Sequence, residues 1–250
     1  MRLVSVVVLA LAGCKKSPTP PGVVDGVEGV DAIFERFIEV SGGREQLASV
    51  RNLRSEAVAT MPATNVSMSM VMYQERPDHY LTEVTLPGIG TVRSGHADGI
   101  TWEVHPTLGP RLLSGAEADD AVRRNRLDVF EAYESHYPER TLTGTVEFAG
   151  TRCSRVEART SSGTPETLYF AVDTGLWMGS QLVAATQGGE MNMTNVVEAY
   201  TRVDGVLTAT LTRQSVGGFE IVTRFLGSEA NLDDFPDLTP PPEILELQGM

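Results

Sequence analysis

From residue 53 to residue 226, apolar and polar side chains alternate with a period of two, and Gly, Pro and Asp break the alternation repeatedly. That period sends successive side chains to opposite faces of an extended chain, so the segment is written for strands with a buried face and a wetter one. Candidate strands are 53–61, 65–75, 79–86, 90–94, 100–104, 142–148, 152–159, 167–172, 176–185, 190–201, 206–215 and 219–226. Asp98-Gly99 and Asp204-Gly205 sit between strands where a two-residue hairpin turn demands positive φ. About twelve strands in one open sheet curl rather than stay flat. The expected class is therefore mainly β with some helix (α+β), built on a curved antiparallel meander.

Two segments leave the period of two. In 30–40, Ile33, Phe34, Phe37 and Ile38 share one face of a helix that Ser41, Gly42 and Gly43 then end. Residues 44–50 add a short helical turn. In 114–137, Ser114 and Glu117 have the spacing of a capping box, and Val122, Phe130, Tyr133 and Tyr137 recur at helical spacing. This predicts one amphipathic helix or a broken pair, with Asp119, Asp120, Arg123, Arg124 and Arg126 on its solvated side. Two short helices supply too little to fill the concave face of a large curved sheet. An apolar cavity between sheet and helices is the expectation.

The first residues carry an address. After Met1 and Arg2, an apolar stretch runs over 3–12 and ends in Gly13 and Cys14. Ten apolar residues rise roughly 15 Å as a helix against a hydrocarbon thickness of roughly 30 Å, so 1–13 reads as a secretory signal peptide and not as a membrane span. Leu11-Ala12-Gly13-Cys14 resembles the lipobox at which bacterial lipoproteins are acylated on the cysteine and cleaved before it. That resemblance makes Cys14 the lipidation site and a membrane the partner reached through it. One acyl chain anchors only marginally at about 0.8 kcal/mol per methylene, so a lipoprotein's two or three chains are what hold it. Residues 14–28, with Pro18, Pro20 and Pro21, form a tether of at most roughly 40 Å at about 3.1 Å per residue. The folded domain is placed at 29–228. An acidic, Pro-rich tail at 229–250 is expected to be poorly ordered.

Composition excludes one partner class. With 20 Lys and Arg against 33 Asp and Glu, the net charge is −13, and no basic patch stands out for a nucleic acid to use. Cys153 has no second cysteine to pair with once Cys14 is acylated, and its place in a strand reads as a small buried apolar residue. No catalytic constellation is visible. His79, His96, His105 and His136 lack the spacing of a helical metal pair, the Gly-x-Ser-x-Gly elbow is missing, and the glycines of 88–95 precede no helix that could cradle a phosphate. Neither a metal site, nor a cofactor, nor catalytic residues are expected.

What stands out instead is methionine. Met68, Met70 and Met72 alternate with Ser67, Ser69 and Val71, and Met191 and Met193 repeat the pattern in a later strand. An unbranched, polarizable side chain suits a cavity that accepts flexible chains, although it also packs well beneath a helix. Trp102, Phe130 and Phe170 complete the candidate cavity lining.

Three groups of residues carry a family resemblance. They are Pro-Gly-Ile-Gly-Thr-Val-Arg-Ser-Gly at 87–95, Asp-Gly-Ile-Thr-Trp-Glu at 98–103 and Pro-Thr-Leu-Gly-Pro-Arg-Leu-Leu-Ser-Gly at 106–115. With Gly42-Gly43-Arg44-Glu45 and Leu168-Tyr169-Phe170, the chain resembles the outer-membrane lipoprotein-sorting group, the LolA and LolB-like half-barrels, in particular myxobacterial ones. The resemblance implies an incomplete antiparallel barrel of about eleven strands with helices covering the concave face, holding a lipid, an acyl chain or a lipoprotein. It supplies no catalytic residue. Lys15 after the cysteine, where enterobacterial inner-membrane retention uses aspartate, favours the outer membrane. The expected function is thus a non-enzymatic, lipid-anchored envelope protein of carrier or receptor type. The alternative is a structural or interaction lipoprotein that docks an envelope protein partner.

Overall fold

The computed structural model describes residues 29–186 and 189–249. The signal segment, Cys14 and the tether lie outside the described residues. The N-terminal helix α1 (Val30–Val40) leads through α2 (Arg44–Ala48) into β1 (Asn52–Met61), β2 (Val66–Glu75), β3 (His79–Leu86), β4 (Gly90–Ala97), β5 (Ile100–His105) and β6 (Gly109–Leu112). Helices α3 (Gly115–Asn125) and α4 (Tyr133–His136) cross to β7 (Glu139–Phe148), β8 (Thr151–Arg159), β9 (Pro165–Ala171), β10 (Trp177–Thr186), β11 (Gly189–Val203), β12 (Val206–Val216) and β13 (Phe219–Ala230). Helix α5 (Pro242–Leu247) follows.

All strands join one antiparallel sheet, in the order β6-β5-β4-β3-β2-β1-β13-β12-β11-β10-β9-β8-β7. The chain meanders outward from β1 to one edge, crosses by α3 and α4 to the other edge, and meanders back until β13 pairs with β1. Among the described residues β6 and β7 do not pair with each other, so the barrel stays open. The sheet has 13 strands, not the eleven or twelve expected. The strand that sequence reading missed is β6, short and carrying Pro110, which an edge tolerates because no neighbour needs its N–H.

Register shifts at Glu56/Ala57, Leu142/Gly144, Trp177/Gly179 and Val197 to Tyr200 add bulges that bend the strands and raise their twist. Gly179 shows why a glycine sits at one of them. Its φ is 143°, and a Cβ there would come within 1.9 Å of the Asn195 carbonyl oxygen. The expected Asp-Gly turns form, with φ of 54° and 76° at Asp98-Gly99 and 47° and 84° at Asp204-Gly205.

The concave face is the one covered by α1, α3 and α4. Ile33, Phe34, Phe37 and Ile38 of α1 pack there against Val156 and Ala158 of β8, Leu168 and Phe170 of β9, and Tyr133 and Tyr137. Phe34 is central: its ring stacks on Tyr133 at 4.5 Å and meets Phe170 edge-on at 5.2 Å. Arg36 fixes the helix to the sheet, donating to the carbonyls of Val172 and Asp173 at 2.9 Å each. At the other end of α1, the Ser41 carbonyl accepts from Leu207 N at 2.9 Å.

The convex face has its own packing. Phe148 and Tyr169 stack at 3.9 Å beside Cys153, which is fully buried, as expected for a small apolar residue, with burial pushing its thiol pKa up. At the far side of the same face Ile244 of α5 seats on Ile100 and Trp102. The acidic segment expected to be a poorly ordered tail is therefore packed: β13 continues to Ala230, Asn52 and Leu232 exchange two hydrogen bonds of 2.8 and 3.0 Å, and Leu238 and Ile244 are buried.

Candidate functional site

The helices do not fill the concave face evenly. Over β8 and β9 α1 makes a solid aromatic core. Toward β10, β11, β12 and β1 the space between sheet and helices remains a cavity of about 430 Å³. Its floor is Leu182 and Ser180 of β10, Met193 and Asn195 of β11, Gln214 and the start of β12, and Leu53 of β1. Its roof is Phe37 and Ser41 at the end of α1, Leu47, the end of α3, and the turn carrying Leu127, Val129 and Phe130. Most of this wall is apolar, and the volume falls within the roughly 300–1,000 Å³ of small-molecule pockets.

Hydrogen bonds hold the roof in place. Gln74 of β2 donates to the Asn125 carbonyl at 2.7 Å, and Arg76 donates to the carbonyls of Val50 and Leu47 at 2.7 and 3.0 Å while pairing with Glu131. Arg126 makes two bonds of 2.7 Å to Asp128, which also lies 3.2 Å from His136 Nε2. Burial alone would raise the Asp128 pKa, but the bonds from Arg126 and His136 outweigh it and hold the carboxyl well below its ordinary range.

A buried polar knot borders the cavity. Arg123 donates to the Tyr137 hydroxyl at 3.0 Å and lies 3.0 Å from Glu166 and 3.9 Å from Asp120. Tyr137 donates to Glu166 at 3.3 Å, and burial, reinforced by that carboxylate, pushes its hydroxyl pKa far up. The expected solvated face holds for Asp119 and Arg124, which are exposed, and fails for Asp120 and Arg123. Asp120 and Arg123 are 2% and 5% exposed and key α3 into the sheet. The capping box does not form either: Ser114 makes no side-chain cap bond, and Glu117 binds Arg111 at 3.0 and 3.1 Å.

The methionine stripe points the right way. Register pairs Met68, Met70 and Met72 with Ala59, Ala57 and Ser55, and Leu53 with Gln74, so all three methionines share the concave face with two residues of the cavity wall. They lie beyond the cavity itself, half-buried, and extend its apolar surface along β2. Met193 and Phe130 are on the wall, and Met191 shares Met193's face with 37% of its surface exposed. The other two candidates are elsewhere. Phe170 is buried in the aromatic core, and Trp102 lies on the convex face, where its ring covers Gly95 closely enough that a Cβ there would meet it at 2.6 Å. Sequence reading missed Leu182, Trp177 and Arg124. Only the tertiary path of β10 and the depth of α3 bring them to the wall.

Two other depressions are larger, one with polar and apolar lining in equal measure that includes Leu182 and Met193, and one mostly polar. One, of about 610 Å³, has Glu139, Arg140, Glu157 and Arg159 in its wall, and the other, of about 570 Å³, has Asp78, His96, Asp119, Arg126 and His136. Charged side chains interrupt the apolar lining of both.

No family model and no curated protein matches the chain by sequence. Solved structures do match by shape. A DUF1329 family protein from Desulfovibrio piger aligns with a TM-score of 0.56 at 14% identity, covering 82% of this chain and 94% of its own. A LolA superfamily protein from Nitrosomonas europaea aligns with a TM-score of 0.56 at 13% identity, covering 85% and 98%. An outer membrane lipoprotein-sorting protein domain from Vibrio parahaemolyticus gives 0.50 at 10%, covering 80% and 94%. At such identities the likeness is one of fold, and the fold is LolA-like.

Proposed function

We propose that this LolA-like half-barrel is a lipid-anchored protein of the cell envelope that shelters an acyl chain, alone or as part of a lipid or lipoprotein, between its sheet and its helices. The single observation that carries the reading is the apolar cavity with its methionine extension. A void of this size beside the solid aromatic core of β8 and β9 has lost the contacts such a core makes, and an apolar ligand restores them. Transfer of a chain from water is worth about 0.8 kcal/mol per methylene, which suffices for tight binding with no catalytic group. The half-buried methionines adapt to chains of different length and bend. Cys14 supplies the anchor in this reading, so the cavity works within a tether's length of a bilayer, with the outer membrane the favoured location.

The test is direct. Lipid extraction and native mass spectrometry of the purified chain should find copurifying acyl lipid, and a fluorescent fatty acid should bind and be displaced by it. Met193→Trp, which places an indole in the cavity, should lower that affinity by about tenfold or more while leaving the circular dichroism of the sheet unchanged. Wild-type protein that carries no lipid and binds no fatty acid would remove the proposal. For the anchor, labelled fatty acid should appear on the wild-type chain and vanish with Cys14→Ser.

A further inference from the structure

The polar groups of the cavity wall are unbalanced in one direction. Five buried side-chain atoms make no well-aligned hydrogen bond among the described residues: Ser41 Oγ, Trp102 Nε1, Arg123 Nε, Trp177 Nε1, and Arg123 Nη2, which is nonetheless paired with Glu166 at 3.0 Å. Four of these belong to residues of the cavity wall, and every one can donate a proton. The charges are unbalanced in the same sense. On the wall Glu166 faces Arg123 at 3.0 Å, Glu131 is taken by Arg76, and Arg126 is taken by Asp128. Asp120, nearest in sequence, already accepts from Ser162 at 3.3 Å and Thr164 at 3.1 Å and lies 3.9 Å from Arg123. Arg124 remains. Among the described residues it has no carboxylate within 4.0 Å and no hydrogen-bond partner, although it stands on the wall of an apolar cavity in a chain of net charge −13. Its side chain is exposed, so a ligand can reach it, and the protein mass around it still lowers its pKa despite the fields of Asp120 and Glu166.

An accessible guanidinium with no carboxylate on it, sharing the cavity wall with buried donors that lack partners, suits a group that accepts hydrogen bonds and carries negative charge. We propose that the ligand is an amphiphile with an anionic head, its chain in the apolar cavity and its head on Arg124. A guanidinium grips a carboxylate or phosphate through two parallel N–H bonds, which an alcohol or ester head cannot match. This inference rests on the acyl-chain reading above and narrows it to lipids whose head is an anion.

Dodecanoate, dodecanol and dodecyl phosphate, tested by calorimetry on the full chain, separate the two claims. Wild-type protein should bind dodecanoate or dodecyl phosphate about tenfold or more tighter than dodecanol. Preference for dodecyl phosphate points to a phosphate headgroup as the natural source, and preference for dodecanoate to a free fatty acid. In Arg124→Gln the ratio of anion to dodecanol affinity should collapse toward parity, and Arg124→Lys should recover part of it. Binding of both anions no tighter than the alcohol by the wild type overturns the anionic-head proposal alone and leaves the acyl cavity standing, as does an Arg124→Gln protein that keeps the full preference. Failure to bind any of the three overturns both.

Discussion

The two halves of the concave face receive similar raw material and are finished differently. Over β8 and β9, α1 inserts Phe34 and Phe37 among Tyr133, Tyr137, Val156, Leu168 and Phe170, and nothing is left open. Over β1 and β10 to β12 the same helix contributes only Phe37 and Ser41 at its far end, and the remaining space is roofed by a turn and the end of α3. The difference teaches where stability and binding reside. One half is a core that fixes the curvature of the sheet, and the other is a surface that has been curved and then left without a filler.

Four measurements probe this division. Phe34→Ala should cost about 3–5 kcal/mol in chemical denaturation, since it empties the centre of the filled half. Arg123→Met, at the boundary, should cost about 2–4 kcal/mol because it strands Glu166 and Tyr137 in a buried setting, and adding Glu166→Gln should return part of the loss. Met193→Ala, in the open half, should cost less than about 1.5 kcal/mol, because its side chain already borders a void. A cost equal to that of Phe34→Ala would mean that the cavity is collapsed in solution and the two halves are alike. The smallest effect is one of pH. The bonds from Arg126 and His136 hold the Asp128 carboxyl below its ordinary pKa of 3.8, so it stabilises the roof above that value and the contribution fades as pH falls below it. Asp128→Asn should flatten this acid limb of the stability curve, and an unchanged limb would show that the roof does not depend on the pair.

Much of the architecture was legible in residue order because it is dictated locally. The period of two places the strands, the Asp-Gly pairs require positive φ and hence hairpins, and the apolar face of 30–40 yields α1 with the limits read for it. Cys153 was legible for the same reason, as a small residue inside an alternating strand. The failures share a different cause, which is packing between distant segments. Nothing near Asp120 or Arg123 in the chain announces that Glu166 and Tyr137 will bury them. Trp102 alternates as faithfully as Met70, yet alternation assigns two faces without saying which is concave, and Ile244 turned Trp102's face into a second core. Of the candidate cavity residues, the methionines reach the concave face, while the aromatic ones divide between cavity, core and the opposite side.

An open half-barrel leaves two strands with free backbone groups, and such edges invite strand addition by another copy of the chain. Both edges are shaped against it. β6 offers four residues, one of them Pro110 with no N–H, and α5 packs beside it. β7 carries a bulge at Leu142/Gly144, with Gly144 at a φ of 123°, and Glu139, Arg140 and Glu147 along its length. The same openness that makes room for a ligand would otherwise make a template for aggregation, and these two strands let the sheet stay unclosed without growing into a polymer.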